Sequence, residues 1–145
     1  MNHLQVEIIR RSAAEFNNYR KNNPGEHIDL WKADISNLNL EGINFDYAFM
    51  RDCNLENSIL TGSSFKRAEM KECVLKFADL TDCKLIQADL ARANLHKAKL
   101  INADLSLADM RMADLTEANL TGAILRNADT IDADMRWAKL DDVEW

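Results

Sequence analysis

The sequence is poor in the residues that interrupt or crosslink a chain. It has one proline, four glycines and 7% aromatic residues, which excludes a Pro/Gly-rich disordered polymer. Its three cysteines, Cys53, Cys73 and Cys83, are an odd number for a disulfide framework and lack the spacing of a Cys/His metal site. We therefore expect reduced thiols in a cytoplasmic protein, with no bound metal or cofactor.

Long hydrophobic runs are also missing. No apolar segment approaches the roughly 18 residues of a membrane span, and charged residues from Glu7 to Glu15 interrupt the stretch that a signal peptide would need. The chain has 18 Lys+Arg and 24 Asp+Glu in 145 residues, a formal net charge of −6. This balance argues against binding nucleic acid or an anionic membrane through a broad basic surface.

What the sequence contains instead is an internal repeat of five residues. From Leu30 to Leu140 every fifth residue is Leu, Ile, Met or Phe, with Thr130 as the exception. Two positions earlier, 15 of 24 residues are Ala, and Cys and Ser supply most of the others. The residue between these two is often Asp or Asn. No insertion shifts this frame through the rest of the chain.

Neither regular secondary structure accommodates a five-residue period. On an α-helix, five residues rotate by about 140°, so the large side chains would wind around the helix. In a straight strand, five steps would alternate them between the two faces. The pattern therefore indicates a short extended piece followed by a bend, repeated so that the chain closes into stacked coils around a continuous apolar core.

Three units show the repeat most clearly: Ala88–Arg92, Ala93–Lys97 and Ala113–Glu117. They resemble the A(D/N)LXX motif of pentapeptide-repeat proteins, and the resemblance covers most of the chain. It implies an all-β solenoid, a right-handed quadrilateral β-helix with four pentapeptides per coil. Residues 28–145 would form about six coils, roughly 28 Å long at a strand spacing of about 4.8 Å. Residues 1–27 would form an N-terminal cap with its connecting loop.

The repeat assigns a role to each position. The large residue fills the axis of the coil, and the small residue two positions earlier faces inward at a corner, where little room remains. The predicted core stack includes Leu55, Leu75, Leu90, Leu95, Leu105 and Leu115. Cys53 and Cys73 would stack on neighbouring coils within disulfide range, although a reduced pair fits a cytoplasmic setting better.

The N-terminal residues follow a helical period. Residues 3–20 are predicted to form one amphipathic helix that covers the first coil, because the open ends of a solenoid expose apolar core and unpaired strand groups. The apolar face of this helix consists of Leu4, Ile8, Ile9, Ala13, Phe16 and Tyr19. The segment 16–30 is similar to the lead-in that precedes the repeats in many bacterial pentapeptide proteins.

The C-terminal end is expected to be less well covered. Thr130 predicts a distorted last coil, and the candidate surface for capping or dimerisation consists of Trp137, Val143 and Trp145. Two alternatives remain open: Trp145 folds over the end as a plug, or two molecules meet end to end in a two-fold dimer. Related proteins pair in this way, so the resemblance favours a homodimer through the C-terminal coil.

No pattern in the sequence indicates catalysis. His3, His27 and His96 are dispersed and have no nucleophile or second ligand at an informative spacing. We predict a non-catalytic module that binds a protein partner not identified by the sequence, without direct contact to nucleic acid or membrane. The outward apolar residues would mark the partner site if they formed one patch; they are Phe77, Ile86, Leu107 and Met112.

The resemblance also implies an alternative function. Some pentapeptide-repeat proteins resemble duplex DNA in width and charge, and they bind type II topoisomerases such as DNA gyrase. The candidate acidic face of this chain, Asp89, Asp109 and Asp129, is compatible with such mimicry. Basic residues flank and interrupt it: Arg51, Lys71, Arg92 and Arg111.

Overall fold

The structure is a computed structural model that describes all residues, 1–145. Two short helices begin the chain, α1 at His3–Arg11 and α2 at Ala13–Asn22. A four-sided coil follows, in which the extended pieces are single bridge residues at every fifth position from Asp29 to Glu144. Every bridge is parallel and joins residue i to residue i+20, so one turn of the coil takes four pentapeptides.

The N-terminal cap consists of two helices, and the prediction of one helix over residues 3–20 was wrong. Ser12 has an extended backbone with φ −171° and ψ 153°. Its N–H donates to the Ile8 carbonyl (3.2 Å) at the end of α1, and its Oγ accepts the Glu15 N–H (3.0 Å) at the start of α2. Serine followed three residues later by glutamate is a helix-start pattern, and here it divides an otherwise continuous helical period.

The interruption at Ser12 accompanies a second departure from prediction. Leu4, expected to pack inward, is 52% exposed, whereas Gln5 is fully buried. The Gln5 Nε2 donates to the His27 carbonyl (3.0 Å), and its Oε1 accepts the Asp29 N–H (2.9 Å). A buried amide is favoured here because the first coil presents unpaired polar groups that an aliphatic side chain would leave unsatisfied.

Phe16 of α2 closes the N-terminal end of the apolar core. Its side chain is fully buried, and its ring centroid lies 5.4 Å from that of Phe45. Phe45 in turn lies 5.4 Å from Phe65 on the next coil. The helix therefore adds one more layer to the stack of side chains along the axis.

Polar side chains of the cap bond to the exposed edge of the first coil. The Arg20 guanidinium donates to the carbonyls of Asn44 (2.8 Å) and Asp46 (2.9 Å). Three further bonds of this kind are Arg10 Nη2 to the Asp34 carbonyl (2.9 Å), Asn17 Nδ2 to the Gly42 carbonyl (2.9 Å) and the Asn44 N–H to Asn17 Oδ1 (2.8 Å). These side chains take the place that a preceding coil would occupy.

Within the coil, a pentapeptide can satisfy all of its backbone donors. In Ala88–Arg92, three N–H groups bond to neighbouring coils, one closes a turn and one bonds to a side chain. The five bonds are Ala88 N–H to Leu85 O (3.0 Å), Asp89 N–H to Ala68 O (3.0 Å), Leu90 N–H to Asp109 O (2.7 Å), Ala91 N–H to Asp89 Oδ1 (3.0 Å) and Arg92 N–H to Arg111 O (2.9 Å). Complete pairing of this kind is what a buried backbone requires.

The Asp or Asn before the large residue has a structural role. In all 14 units that contain one at this position, its Oδ1 accepts the N–H of the residue two positions later. This side-chain-to-backbone turn supplies the partner that neither the ladder nor the corner turn provides. It accounts for the recurrence of Asp in the repeat without reference to binding.

Each corner of the coil contains a residue with left-handed backbone geometry. All 23 residues at this position, between 32 and 142, have φ from +54° to +69°. A type II turn requires positive φ at its third residue, where Gly and Asn are most easily accommodated. Only three of the 23 are glycine, and Leu107 and Trp137 are among the others. All of these residues are exposed to solvent except Gly122, which is half-buried.

The axis positions are buried without interruption from Leu30 to Leu125. The residues of the predicted core stack are each 0% exposed: Leu55, Leu75, Leu90, Leu95, Leu105 and Leu115. The small residues two positions earlier are buried as well, and four of them also donate a hydrogen bond. The hydroxyls of Ser58 and Ser63 and the thiols of Cys73 and Cys83 lie 3.0, 3.0, 2.8 and 2.9 Å from carbonyl oxygens of the preceding coil.

Candidate interaction surfaces

One face of the coil carries carboxylates at 20-residue steps, interrupted by Phe49, which we call the acidic column: Asp29, Glu69, Asp89, Asp109 and Asp129. Asp89, Asp109 and Asp129 therefore lie on successive coils. The Arg111 guanidinium lies 2.5 Å from the Asp109 carboxylate and 3.6 Å from that of Asp129. Its hydrogen bond holds the pKa of Asp109 below the ordinary value. The acidic column is thus partly neutralised by its own neighbour.

The corner beside the acidic column is rich in cations. This basic corner consists of residues 31–32, 51–52, 71–72, 91–92, 111–112 and 131–132, which stack at 20-residue steps. Arg51, Lys71, Arg92 and Arg111 lie along it. Charges of opposite sign therefore run side by side along the rod, a pattern that a net charge alone does not reveal.

The four outward apolar residues do not form one patch. Phe77, Leu107 and Met112 are 47%, 52% and 53% exposed, but their 20-residue register places them on three different corners. Ile86 shares a corner with Leu107 and is half-buried. The Phe77 ring packs edge-on against His96, with centroids 5.8 Å apart. Single apolar residues scattered over a surface do not by themselves mark an interface.

His96 belongs to a chain of polar groups at the Phe77 corner. Its Nδ1 lies 2.7 Å from the Thr116 Oγ1, and the Thr116 hydroxyl donates to Asp114 Oδ1 (2.6 Å). The hydroxyl therefore lies between the imidazole and the carboxylate. In a nucleophilic triad the imidazole lies between the hydroxyl and the carboxylate, so that it can accept the hydroxyl proton. Here the Thr116 hydroxyl donates its hydrogen bond to the Asp114 carboxylate instead.

The three cysteines are free and buried, and Cys53 and Cys73 are not joined by a disulfide. Burial raises the pKa of the Cys73 and Cys83 thiols to about 12. Thiolates, which are the nucleophiles and the metal ligands, are therefore scarce at these positions at neutral pH. Both thiols act as corner donors within the core.

The C-terminal end of the coil is open. The N–H groups of Thr130, Met135 and Leu140, which would donate to a following coil, have no backbone partner. Leu140 is 39% exposed although it occupies an axis position. Trp145 is 64% exposed, so the alternative in which it plugs this end was wrong. The last coil presents both apolar side chains and unpaired backbone groups.

The two other residues of the candidate C-terminal surface lie in different environments. Trp137 occupies a left-handed corner position and is 76% exposed on the side of the rod. Arg136 packs over its ring at 5.5 Å from the centroid. Val143 is partly buried against the core of the last coil. The structure therefore does not bring Trp137, Val143 and Trp145 together as one continuous patch.

The largest surface cavity, about 550 Å³, lies between α2 and the first two coils. Arg20 and Asn17 line it, but both already bond to the backbone of the first coil. No group of three or more His, Cys, Asp or Glu side chains is placed to hold a metal ion. Neither helix has the length and apolar character needed to span a bilayer.

Comparison with known proteins places this architecture in a family. No curated protein matches the sequence, but the family model described as pentapeptide repeats matches it in eight copies. The matched segments are residues 26–62, 39–76, 48–85, 73–111 and 108–143. Together they span the whole coil except its last two residues.

Solved structures of the same kind also match. A pentapeptide repeat protein from Nostoc is 32% identical, with 58% of this chain and 67% of that chain covered and a TM-score of 0.53. One from the Arabidopsis thaliana thylakoid lumen is 30% identical over 74% and 68% of the two chains, with a TM-score of 0.40. HetL, involved in heterocyst differentiation regulation in Nostoc, is 24% identical over 87% and 92%, with a TM-score of 0.39. With its 20-residue coil, the chain belongs to the pentapeptide-repeat family and folds as a right-handed quadrilateral β-helix with a helical N-terminal cap.

Proposed function

We propose that the chain is a non-catalytic module that recognises another protein through the outward side chains of its coil. The observation that carries this proposal is the left-handed corner position, which displays a side chain of any type at each step along a rigid rod. Tyr47, Leu107 and Trp137 are 63%, 52% and 76% exposed at such positions. Because the coil fixes the backbone at these positions, binding through such side chains does not have to order the backbone, which favours affinity.

The arrangement of titratable groups supports a role without catalysis. The recurrent Asp side chains accept hydrogen bonds from backbone N–H groups two residues later, and the Thr116 hydroxyl donates its hydrogen bond to Asp114. The buried thiols have raised pKa values. These groups are used to build the coil. We place recognition in residues 28–145 and assign residues 1–27 to capping, in a protein of the reducing cytoplasm.

A pull-down from native lysate tests the interaction role. We expect the immobilised chain to capture a protein at near-stoichiometric levels. A surface variant such as Leu107→Asn should unfold like the parent, because asparagine suits a left-handed corner. Loss of the partner from at least one such surface variant would locate the recognised corner. If repeated pull-downs with the wild-type chain capture no specific partner, the proposal is overturned.

We also propose that two copies pair through the C-terminal coil. Thr130, Met135 and Leu140 leave backbone donors without backbone partners there, and a two-fold contact would cover both open ends at once. Sedimentation should show a dimer at micromolar concentration that Leu140→Glu converts to a monomer. A monomer at high micromolar concentration would remove this proposal and leave the interaction role intact.

Mimicry of DNA towards a type II topoisomerase is the alternative function, supported by the acidic column. The coil, residues 28–145, carries 21 Asp+Glu and 14 Lys+Arg, a net charge of −7. Over roughly 28 Å this gives about one charge per 4 Å, whereas duplex DNA carries one per about 1.7 Å. Arg111 further offsets Asp109 and Asp129. A gyrase supercoiling assay at two salt concentrations separates the functions: salt-sensitive inhibition would favour the mimic, and no effect at tens of micromolar would eliminate it.

A further inference from the structure

Two of the three surface cavities of the molecule lie on the basic corner. One, of about 240 Å³, is lined by Lys71, Ala91, Arg92, Arg111, Met112, Ile131 and Asp132. It exists because Ala91 has a single side-chain carbon where Lys71 and Arg111, one coil away on either side, have long ones. The other, of about 420 Å³, is lined by Trp31, Phe49, Arg51 and Asp52. The corner therefore has two depressions along its length, and cations line both of them.

Three of the cations that line these depressions make no ion pair or side-chain hydrogen bond within the fold. Seven of the nine arginines make an ion pair or a side-chain hydrogen bond: Arg10, Arg11, Arg20, Arg67, Arg111, Arg126 and Arg136. The two that make neither are Arg51 and Arg92, and both lie on the basic corner. Lys71, between them, makes neither as well. The planar guanidinium of arginine donates two parallel hydrogen bonds that match a carboxylate. Arg51 and Arg92 are therefore available to a ligand that carries carboxylates.

No neighbouring carboxylate forms an ion pair with these three cations. Asp89 Oδ1 accepts the Ala91 N–H (3.0 Å), which turns that carboxylate towards the backbone. Asp109 is bonded to Arg111 (2.5 Å), and Lys71 contributes only slightly to the lowered pKa of Asp109. Asp52, Glu72 and Asp132 also lie on the corner, and Glu69 and Asp129 lie beside it. None of these five forms an ion pair with Arg51, Lys71 or Arg92.

Each end of the corner exposes apolar side chains beside one charged residue, Lys32 over the Trp31 ring at the first coil and Asp132 at the last. Trp31 is 45% exposed beside Phe49 at the first coil, and Met112 and Ile131 are 53% and 64% exposed towards the last. Trp31 and Ile131 are 100 residues apart in sequence, which is five coils, or about 24 Å at a spacing of about 4.8 Å. An extended peptide of about seven residues spans that distance at roughly 3.3 Å per residue.

We propose that the basic corner binds an extended acidic segment of a partner protein. Two or three carboxylates of this segment would bond to Arg51, Lys71 and Arg92, and an apolar side chain at each end would enter the two depressions. The inference rests on the proposed role as a protein-binding module and names the chemistry of the partner. A nucleic acid strand fits less well, because its evenly spaced phosphates would leave the apolar side chains in the two depressions without a partner.

A defined peptide tests this assignment. The probe is the blocked heptapeptide acetyl-Leu-Asp-Glu-Gly-Glu-Asp-Leu-amide, titrated into the labelled full chain and followed by two-dimensional NMR. Amide shifts should concentrate at Arg51, Lys71, Ala91 and Met112, and added salt should weaken them. A peptide with lysine at every acidic position should produce none of these shifts. Absent shifts at millimolar probe, or shifts spread evenly over all four corners, would overturn the proposal.

Matched charge reversals separate specific contact from net charge. Arg51→Glu/Arg92→Glu should weaken binding by about tenfold or more. Lys84→Glu/Lys139→Glu, which changes the net charge equally on other faces, should leave binding close to the parent. Equal weakening by both pairs would contradict the assignment. If the wild-type pull-down captures a partner that Arg51→Glu/Arg92→Glu retains, the corner is wrong but the interaction role stands; if the wild type captures none, the interaction role itself fails.

Discussion

At the N-terminal end of the coil two helices supply partners for two of the four edge N–H groups and for several edge carbonyls, whereas at the C-terminal end the last coil meets solvent. Gln5 accepts the Asp29 N–H, and Asn17 accepts the Asn44 N–H. At the opposite end, the N–H groups of Met135 and Leu140 point towards a coil that would follow, and they have no backbone partner. A pentapeptide satisfies its donors only when another coil lies on each side, so the repeat does not end itself. The residues that end it are those outside the five-residue period.

Removing the aromatic ring at the capped end should have the largest effect. Phe16→Ala is expected to lower the free energy of unfolding by about 3–5 kcal/mol, because the ring is fully buried on Phe45. Urea denaturation followed by circular dichroism measures this. Trp137→Ala, at the other end and 76% exposed, is the control and should change stability by less than about 0.5 kcal/mol. Similar losses in the two variants would contradict the comparison.

One substitution at the same repeat position probes the middle and the open end. Leu90→Ala should cost about 2–5 kcal/mol because Leu90 is fully buried. Leu140→Ala should cost less than about 1 kcal/mol because Leu140 is 39% exposed and its cavity opens to water. Urea denaturation at low protein concentration measures the free energy of unfolding of both variants. A large loss at Leu140 would show that this end is covered in solution.

Exchanging the identities of two adjacent cap residues tests the polar edge. Gln5→Leu should cost about 1–3 kcal/mol, because the Asp29 N–H and the His27 carbonyl lose their partner. Leu4→Gln, at an exposed position, should be nearly neutral. Thermal unfolding compares the two variants. If Leu4→Gln is the more damaging, the cap faces the coil through a different side.

Hydrogen exchange should distinguish the ends without mutation. The amides of Asp29 and Asn44 are bonded to cap side chains at 2.9 and 2.8 Å and should exchange slowly. The amides of Met135 and Leu140 should exchange close to the rate of an unstructured peptide. Protection of Met135 and Leu140 that grows with protein concentration would demonstrate end-to-end pairing. Slow exchange at both ends of the dilute protein would refute the open end.

Acid should weaken the capped end slightly. The Met1 ammonium lies 2.8 Å from the Asp29 carboxylate and lowers its pKa below the ordinary value. The carboxylate therefore contributes stability above its unfolded pKa, and that contribution is lost as the pH falls through the folded pKa. Asp29→Asn should flatten the decline in melting temperature between about pH 5 and pH 2. A decline as steep in Asp29→Asn as in the parent would contradict this role.

Much of the coil could be read from the residues because its determinants are local and repeated. The five-residue spacing of Leu55, Leu75 and Leu90 predicts an axis, and the small residues beside them predict a narrow corner. The small size of cysteine predicts its place at a corner, but it does not predict that the Cys73 and Cys83 thiols donate hydrogen bonds to carbonyls of the preceding coil. Size was visible in the sequence, whereas the direction of a thiol was not.

The cap and the charged surface were harder to predict, because they depend on single contacts. Ser12 and Glu15 carried a visible helix-start signal, but the continuous apolar period around them predicted one helix. The burial of Gln5 follows from unpaired groups of the first coil, which no local pattern marks. A 20-residue register predicts that Arg111 lies near the acidic column, but not that it pairs with Asp109 while Arg92 pairs with nothing.

The left-handed corners also bear on how such a protein changes over time. Backbone geometry at these positions is imposed by the coil, and residues as different as Tyr47, Phe77, Glu117 and Trp137 all adopt it. A mutation there alters what a partner meets and leaves the axis untouched. Selection for a new partner therefore need not compete with selection for a folded rod, and one scaffold can diverge into many specificities.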